Sequence, residues 1–66
     1  MAKNEDIRDA ARQNKVYLYE IADVLGVSEP TFNRWLRKEL SAGKKADVFA
    51  AIEIVAEQKK GEISND

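Results

Sequence analysis

The chain has no cysteine and no histidine among its 66 residues. Without cysteine no disulfide can staple a small fold, and without either residue type the usual structural zinc ligands are missing. A chain this short lies near the lower limit at which a core forms unaided, so the packing of secondary structure has to carry its stability. Long apolar runs are missing as well. Stretches such as FAAI at 49–52 are far too short to span a bilayer, and residues 1–15 lack the apolar segment of a signal peptide. These absences point to one small domain in a reducing, cytoplasmic compartment, with no metal, no cofactor and no membrane. They also argue against an enzyme, because no paired carboxylates at a cleft replace the missing His and Cys, and the chain leaves little room for a pocket.

A charge excess of one sign is also lacking, since the net charge is only −1. The distribution says more than the sum. Residues 28–45 hold five bases and two acids, whereas residues 46–66 hold two bases and five acids. An overall basic balance is the usual footprint of a nucleic-acid partner, and here it is confined to one segment.

What the chain does have is helical periodicity, and no stretch shows the two-residue alternation of a strand. Asn4 suits the cap of a first helix, with Glu5, Asp6 and Asp9 in the opening turns, where the helix dipole favours acids, and with Ile7, Ala10 and Ala11 at helical spacing. That helix runs to about Gln13, and Asn14 suits a left-handed residue after it. Leu18, Ile21, Ala22 and Leu25 form the stripe of a second helix, which Gly26 stops. A third helix starts after Ser28, whose hydroxyl can accept from the Thr31 amide, and Pro30 is tolerated in its first turn. Its pattern extends over 29–39, with Phe32, Trp35, Leu36 and Leu40 on the buried side. Ser41 caps a fourth helix, Gly43 loosens its start, and Val48, Phe49, Ile52, Val55 and Ala56 face inward to about Gln58. Gly61 ends that pattern, leaving residues 61–66 as a polar tail expected to fray. The predicted fold is all-α, a compact bundle of about four helices in a single domain over residues 1–60.

Two short helices separated by about three residues have the form of a helix-turn-helix, whose second helix can enter the DNA major groove. Ala22 is small where the helix backbones approach, Gly26 sits where the chain reverses, Val27 can plug the turn, and Ile21, Leu25, Phe32 and Trp35 seal the angle. With these residues, 18–37 (LYEIADVLGVSEPTFNRWLR) resembles the helix-turn-helix of the lambda repressor and Cro-like DNA-binding family, and the chain as a whole is similar to short helix-turn-helix proteins of bacteria and mobile elements. The resemblance implies a transcriptional or element-maintenance role, here that of a repressor-like transcriptional regulator associated with the nucleoid. This chain departs from the family in two ways. It has room for about four helices instead of five, and Leu18 stands where the family often places a phosphate-binding Gln. Tyr17 or Tyr19 could supply a hydroxyl there, or could pack under the first helix.

The face of the third helix opposite Phe32, Trp35 and Leu36 carries Glu29, Pro30, Asn33, Arg34 and Arg37, which match the family's groove-facing positions. Asn can pair bidentately with adenine and Arg with guanine, each good pair giving about 1–3 kcal/mol of discrimination. Asn33 and Arg34 are therefore the expected base readers, with Glu29 and Pro30 beside them, and Arg37, Lys38, Thr31 and Tyr19 are assigned to the phosphates. Asn is a poor helix former, so Asn33 in a helix interior calls for a reason. Glu29 has two readings, a dipole-stabilised first-turn acid or an acceptor from cytosine N4. Trp35 fits core packing better than base stacking, given its spacing with Phe32 and Leu36. Lys44 and Lys45 fall in the first turn of the fourth helix, where the dipole disfavours cations, so they are read as further phosphate contacts. The bland alternative for Arg34 and Arg37 is surface pairing with Glu20, Asp23 or Glu39, which carries little energy.

The expected partner is double-stranded DNA, with two copies on an inverted repeat and the face around Ile54, or the C-terminal tail, as the contact between them. The rival is a protein-interaction adaptor or antirepressor on the same helical fold, consistent with the acidic balance after residue 45.

Overall fold

The described residues form four helices and no strand: α1 (Glu5–Gln13), α2 (Leu18–Leu25), α3 (Glu29–Trp35) and α4 (Ala42–Ser64). The structure, a computed structural model, describes residues 3–64, with side chains described through Lys60. The all-α class and all four helix starts agree with the sequence pattern. No helix among the described residues is long and apolar enough to cross a membrane.

α4 is the spine of the molecule. Its 23 residues correspond to about 35 Å at 1.5 Å per residue, close to the 39 Å longest extent of the chain. α1 and α2 pack against α4, and α3 packs on α2. Val48, Ala51, Ile52 and Val55 of α4 are buried with Ile7 and Ala11 of α1, Ile21 and Ala22 of α2, Phe32 of α3 and Leu36 just after it. Trp35 is half-buried and meets Phe32 edge-on, with ring centroids 6.2 Å apart, so it belongs to the core margin and not to an exposed stacking platform.

The first two helices end in the same way. After α1, Lys15 adopts a left-handed conformation (φ 57°), its N–H donates to the Arg12 carbonyl, and the Val16 N–H reaches back to Ala11. After α2, Gly26 (φ 78°) donates to Asp23 and Val27 to Ala22. Both are Schellman closures, which satisfy the last helical carbonyls and turn the following valine inward. The sequence assigned the left-handed position after α1 to Asn14. That residue has φ −94° and uses its side-chain amide to donate to the Ala10 carbonyl, so the reversal falls one residue later.

Three other boundaries differ from expectation. Asn4 does precede α1, but its side chain makes no capping bond; it is fully buried and points elsewhere in the fold. α3 stops at Trp35, short of residue 39. The Arg37 and Lys38 N–H groups donate to Arg34 and Trp35, three residues back, which tightens the chain out of the α-helix. At the other end, α4 passes through Gly61 to Ser64, because one glycine costs a helix only about 1 kcal/mol and does not stop it. Of the tail expected to fray, Asn65 and Asp66 lie outside the described residues.

Candidate nucleic-acid interface

α3 is set by its N-terminus. Ser28 Oγ accepts from the Thr31 N–H at 3.3 Å and donates to Thr31 Oγ1 at 2.8 Å, which fixes the first turn, and Pro30 fits there because no intrahelical acceptor awaits its missing N–H. Phe32, fully buried, sets the rotation of the helix. Glu29, Pro30, Asn33 and Arg34 are then exposed, and Thr31 is half-buried. At 3.6 residues per turn, Pro30, Asn33 and Arg34 lie within an arc of roughly 100°.

Arg37 and Lys38 follow on the tightened turn, both exposed. Their backbone is held from a distance by Asn4. Its side-chain amide donates to the Leu36 carbonyl at 3.1 Å and the Lys38 carbonyl at 2.8 Å, while its carbonyl oxygen accepts from the Leu40 N–H at 2.8 Å. The Asn4 backbone N–H donates to Glu39 at 2.9 Å, so one residue secures the whole segment from 36 to 40. Asn4 can do this because its left-handed backbone (φ 56°), which Asn tolerates better than most residues, aims the side chain inward. This positioning residue was not apparent in the sequence, where Asn4 reads only as a cap.

A second tie runs through Lys45. Its ammonium sits between Glu39 and Asp6, 3.0 Å from the Asp6 carboxylate and in direct contact with Glu39. Lys45 pulls the Glu39 carboxyl below its ordinary pKa, aided by the Asn4 N–H, and it does the same to Asp6; Glu39 and then Asp6 push the lysine above its own. Lys45, expected at the phosphates, thus joins α1, α4 and the linker between α3 and α4 (residues 36–41). Its neighbour Lys44 is exposed and lies 4.1 Å from the Trp35 ring centroid, a cation–π contact at the edge of α3.

At the far end of α4, Lys59 mirrors this arrangement. It pairs with Glu20 at 2.9 Å and donates to the Lys15 carbonyl at 2.6 Å. Glu20 also accepts from the Tyr17 N–H, the stronger reason its pKa falls below the ordinary value, with Lys59 adding to it. Tyr19 is 55 % exposed and stacked on a similarly open Tyr17 at 5.7 Å, so neither ring is buried, and Tyr17 borders a shallow depression beside Arg8, Ala11 and Arg12 of α1.

Comparison with protein-family models, with curated proteins and with solved structures finds no match. The functional reading therefore rests on the chain's own geometry. Among the described residues, the carboxylates named as surface partners for Arg34 and Arg37 are otherwise placed: Glu20 pairs with Lys59 and Glu39 with Lys45, and Asp23 forms no ion pair. No carboxylate of the described residues lies within ion-pair distance of Arg34, Arg37, Lys38 or Lys44. No group of three or more acidic or metal-ligating side chains is placed to hold a metal among those residues.

Proposed function

We propose that the chain binds double-stranded DNA in a sequence-specific way, with α2, the Gly26–Ser28 turn and α3 acting as a helix-turn-helix and α3 entering the major groove. One observation carries this reading: the exposed side of α3, the turn after it and the first turn of α4 present Asn33, Arg34, Arg37, Lys38 and Lys44, and none of the four bases is neutralised by a carboxylate within the described chain. Asn33 and Arg34 read base edges, with Glu29 and Pro30 at the tip of the helix. Arg37, Lys38 and Lys44 hold phosphates, and Asn4 fixes the segment that carries the first two. Lys45 is a brace and not a phosphate ligand. The role that follows is transcriptional regulation by site occupancy, with two copies on half-sites about 34 Å apart compensating for the small surface of each.

Selection of bound sequences from a random duplex pool at low salt tests the proposal. A defined motif should emerge, and Asn33→Ala and Arg34→Ala should each relax preference at separate positions, by about 1–3 kcal/mol per base pair. Absence of any enriched motif, or unaltered preference in both variants, overturns it.

A further inference from the structure

Four large hydrophobic side chains stand exposed among the described residues, Tyr17, Tyr19, Val24 and Ile54, and three of them line one surface. Tyr19 and Val24 border a groove between α2 and α4 that is completed by Val55 and Gln58 of α4. Gln58 also lines a second groove along the outer side of α4, floored by Phe49, Ala50 and Ile54, so the two depressions adjoin. This surface lies on α2 and on α4 between Ala46 and Gln58, and no residue of α3 lines it.

Its charge is of one sign. Asp23 borders the first groove and Glu53 and Glu57 the second, all three exposed and none in an ion pair among the described residues. Glu20 also lines the first groove, but Lys59 neutralises it. No lysine or arginine among the described residues lines either groove, and Lys60 borders a different depression beside the end of α1.

We infer that this apolar surface with its acidic rim is a docking site for another protein, and that the segment it takes is an amphipathic helix whose apolar stripe is flanked by lysine or arginine. Charge complementarity selects that occupant. An apolar stripe seated on Ile54, Val24 and Tyr19 leaves its flanking side chains beside Asp23, Glu53 and Glu57, where cations are attracted and anions repelled. A second copy related by a two-fold axis would bring one acidic rim against another, with no base among the described lining residues to offset them. The inference does not depend on DNA binding: of the residues expected at DNA only Tyr19 borders this surface, and Asn33, Arg34, Arg37, Lys38 and Lys44 lie outside it.

The probe is a synthetic leucine/lysine amphipathic helix of about 15 residues, or roughly four turns, added to the full isotope-labelled chain while backbone amide shifts are recorded. Two comparison peptides share its length, one leucine/glutamate and one lysine/glutamine without an apolar stripe. The expected result is saturable binding of the leucine/lysine peptide, with shifts gathered at residues 19–24 and 50–58. Both comparison peptides should bind at least about tenfold more weakly. Ile54→Asp and the pair Glu53→Lys with Glu57→Lys, all at exposed positions and checked for helicity, should each weaken the leucine/lysine peptide by about tenfold or more. Absence of binding, shifts centred on residues 29–44, equal binding of either comparison peptide, or undiminished binding to both variants overturns the inference. So does concentration-dependent self-association through this face without peptide.

Discussion

A single asparagine shows how a residue far from the proposed DNA contact can govern it. Asn4 satisfies two carbonyls and one N–H of the 36–40 segment, and all of those bonds vanish if its side chain is removed. Asn4→Gly keeps the left-handed backbone free of strain, so its cost of about 2–4 kcal/mol reflects the orphaned polar groups and the lost side-chain packing without a strain contribution. Asn4→Ala should cost about 1 kcal/mol more, because alanine resists φ 56°. Urea unfolding followed through Trp35 separates the two, and a Gly variant as stable as the parent removes Asn4 from its assigned role. The paired lysines divide in a comparable way. The Lys44 ammonium lies over the Trp35 ring and forms no ion pair among the described residues, whereas Lys45 is engaged by Glu39 and Asp6. In titrations of a selected duplex against salt, Lys44→Ala should reduce the slope of log affinity on log salt by about 1, and Lys45→Ala should leave that slope unchanged even if affinity drops through a loosened linker. Equal slopes for the two variants would reject the division.

At the scale of helices and turns, Gly26 and Gly43 show that space and conformation are separate constraints. A Cβ built on either glycine meets nothing within 4 Å, but only Gly26 has a positive φ, of 78°. Gly26→Ala should therefore destabilise by about 1 kcal/mol through backbone strain, whereas Gly43→Ala, in the first turn of α4, should stabilise by about 0.5–1 kcal/mol. Thermal melts of the two variants should move in opposite directions, and a shift of the same sign would mean that the φ at residue 26 is not what requires glycine. Gly26 was legible in the sequence because glycine announces a left-handed turn, whereas Lys15 makes the same turn after α1 and carries no such signal. Helix starts were legible for a similar reason, since Ser28 and Ser41 act within three residues of themselves. The end of α3 was not, because Leu36, Arg37 and Lys38 suit a helix locally and the side chain that captures the Leu36 and Lys38 carbonyls lies more than thirty residues away. Exposure of Asn33, Arg34 and Arg37 followed from helical spacing. The engagement of Lys45 did not, since Asp6 comes from the other end of the fold.

For the whole molecule, the inward stripe of α4 explains how so small a core is held. Lys45, Val48, Ile52, Val55 and Lys59 recur at helical spacing along one face, so a buried apolar centre is closed at each end by a lysine that reaches another element. Lys45 ties α1 and the linker to α4, and Lys59 ties the start of α2 and the turn before it. All three carboxylates in these ties, Asp6, Glu20 and Glu39, are held below their ordinary values of 3.8, 4.5 and 4.5. Between the ordinary and the lowered values the unfolded chain binds more protons than the folded one, so stability rises with pH there. The contribution is fully present above pH 4.5 and is lost as pH falls through the lowered values of the folded state. Lys45 acts in the opposite sense, its share being complete below its ordinary value of 10.5 and lost as pH rises through the elevated one. The side chains are partly open to solvent, so added salt should shrink the effect. Urea midpoints measured between about pH 3 and 7 should therefore fall on the acid side in low salt, and a Lys45→Met, Lys59→Met double variant should show a flatter profile. A double variant with the parent's full acid slope would mean that these two lysines do not control the acid response, which then rests on other carboxylates or on backbone bonds such as that from the Tyr17 N–H to Glu20.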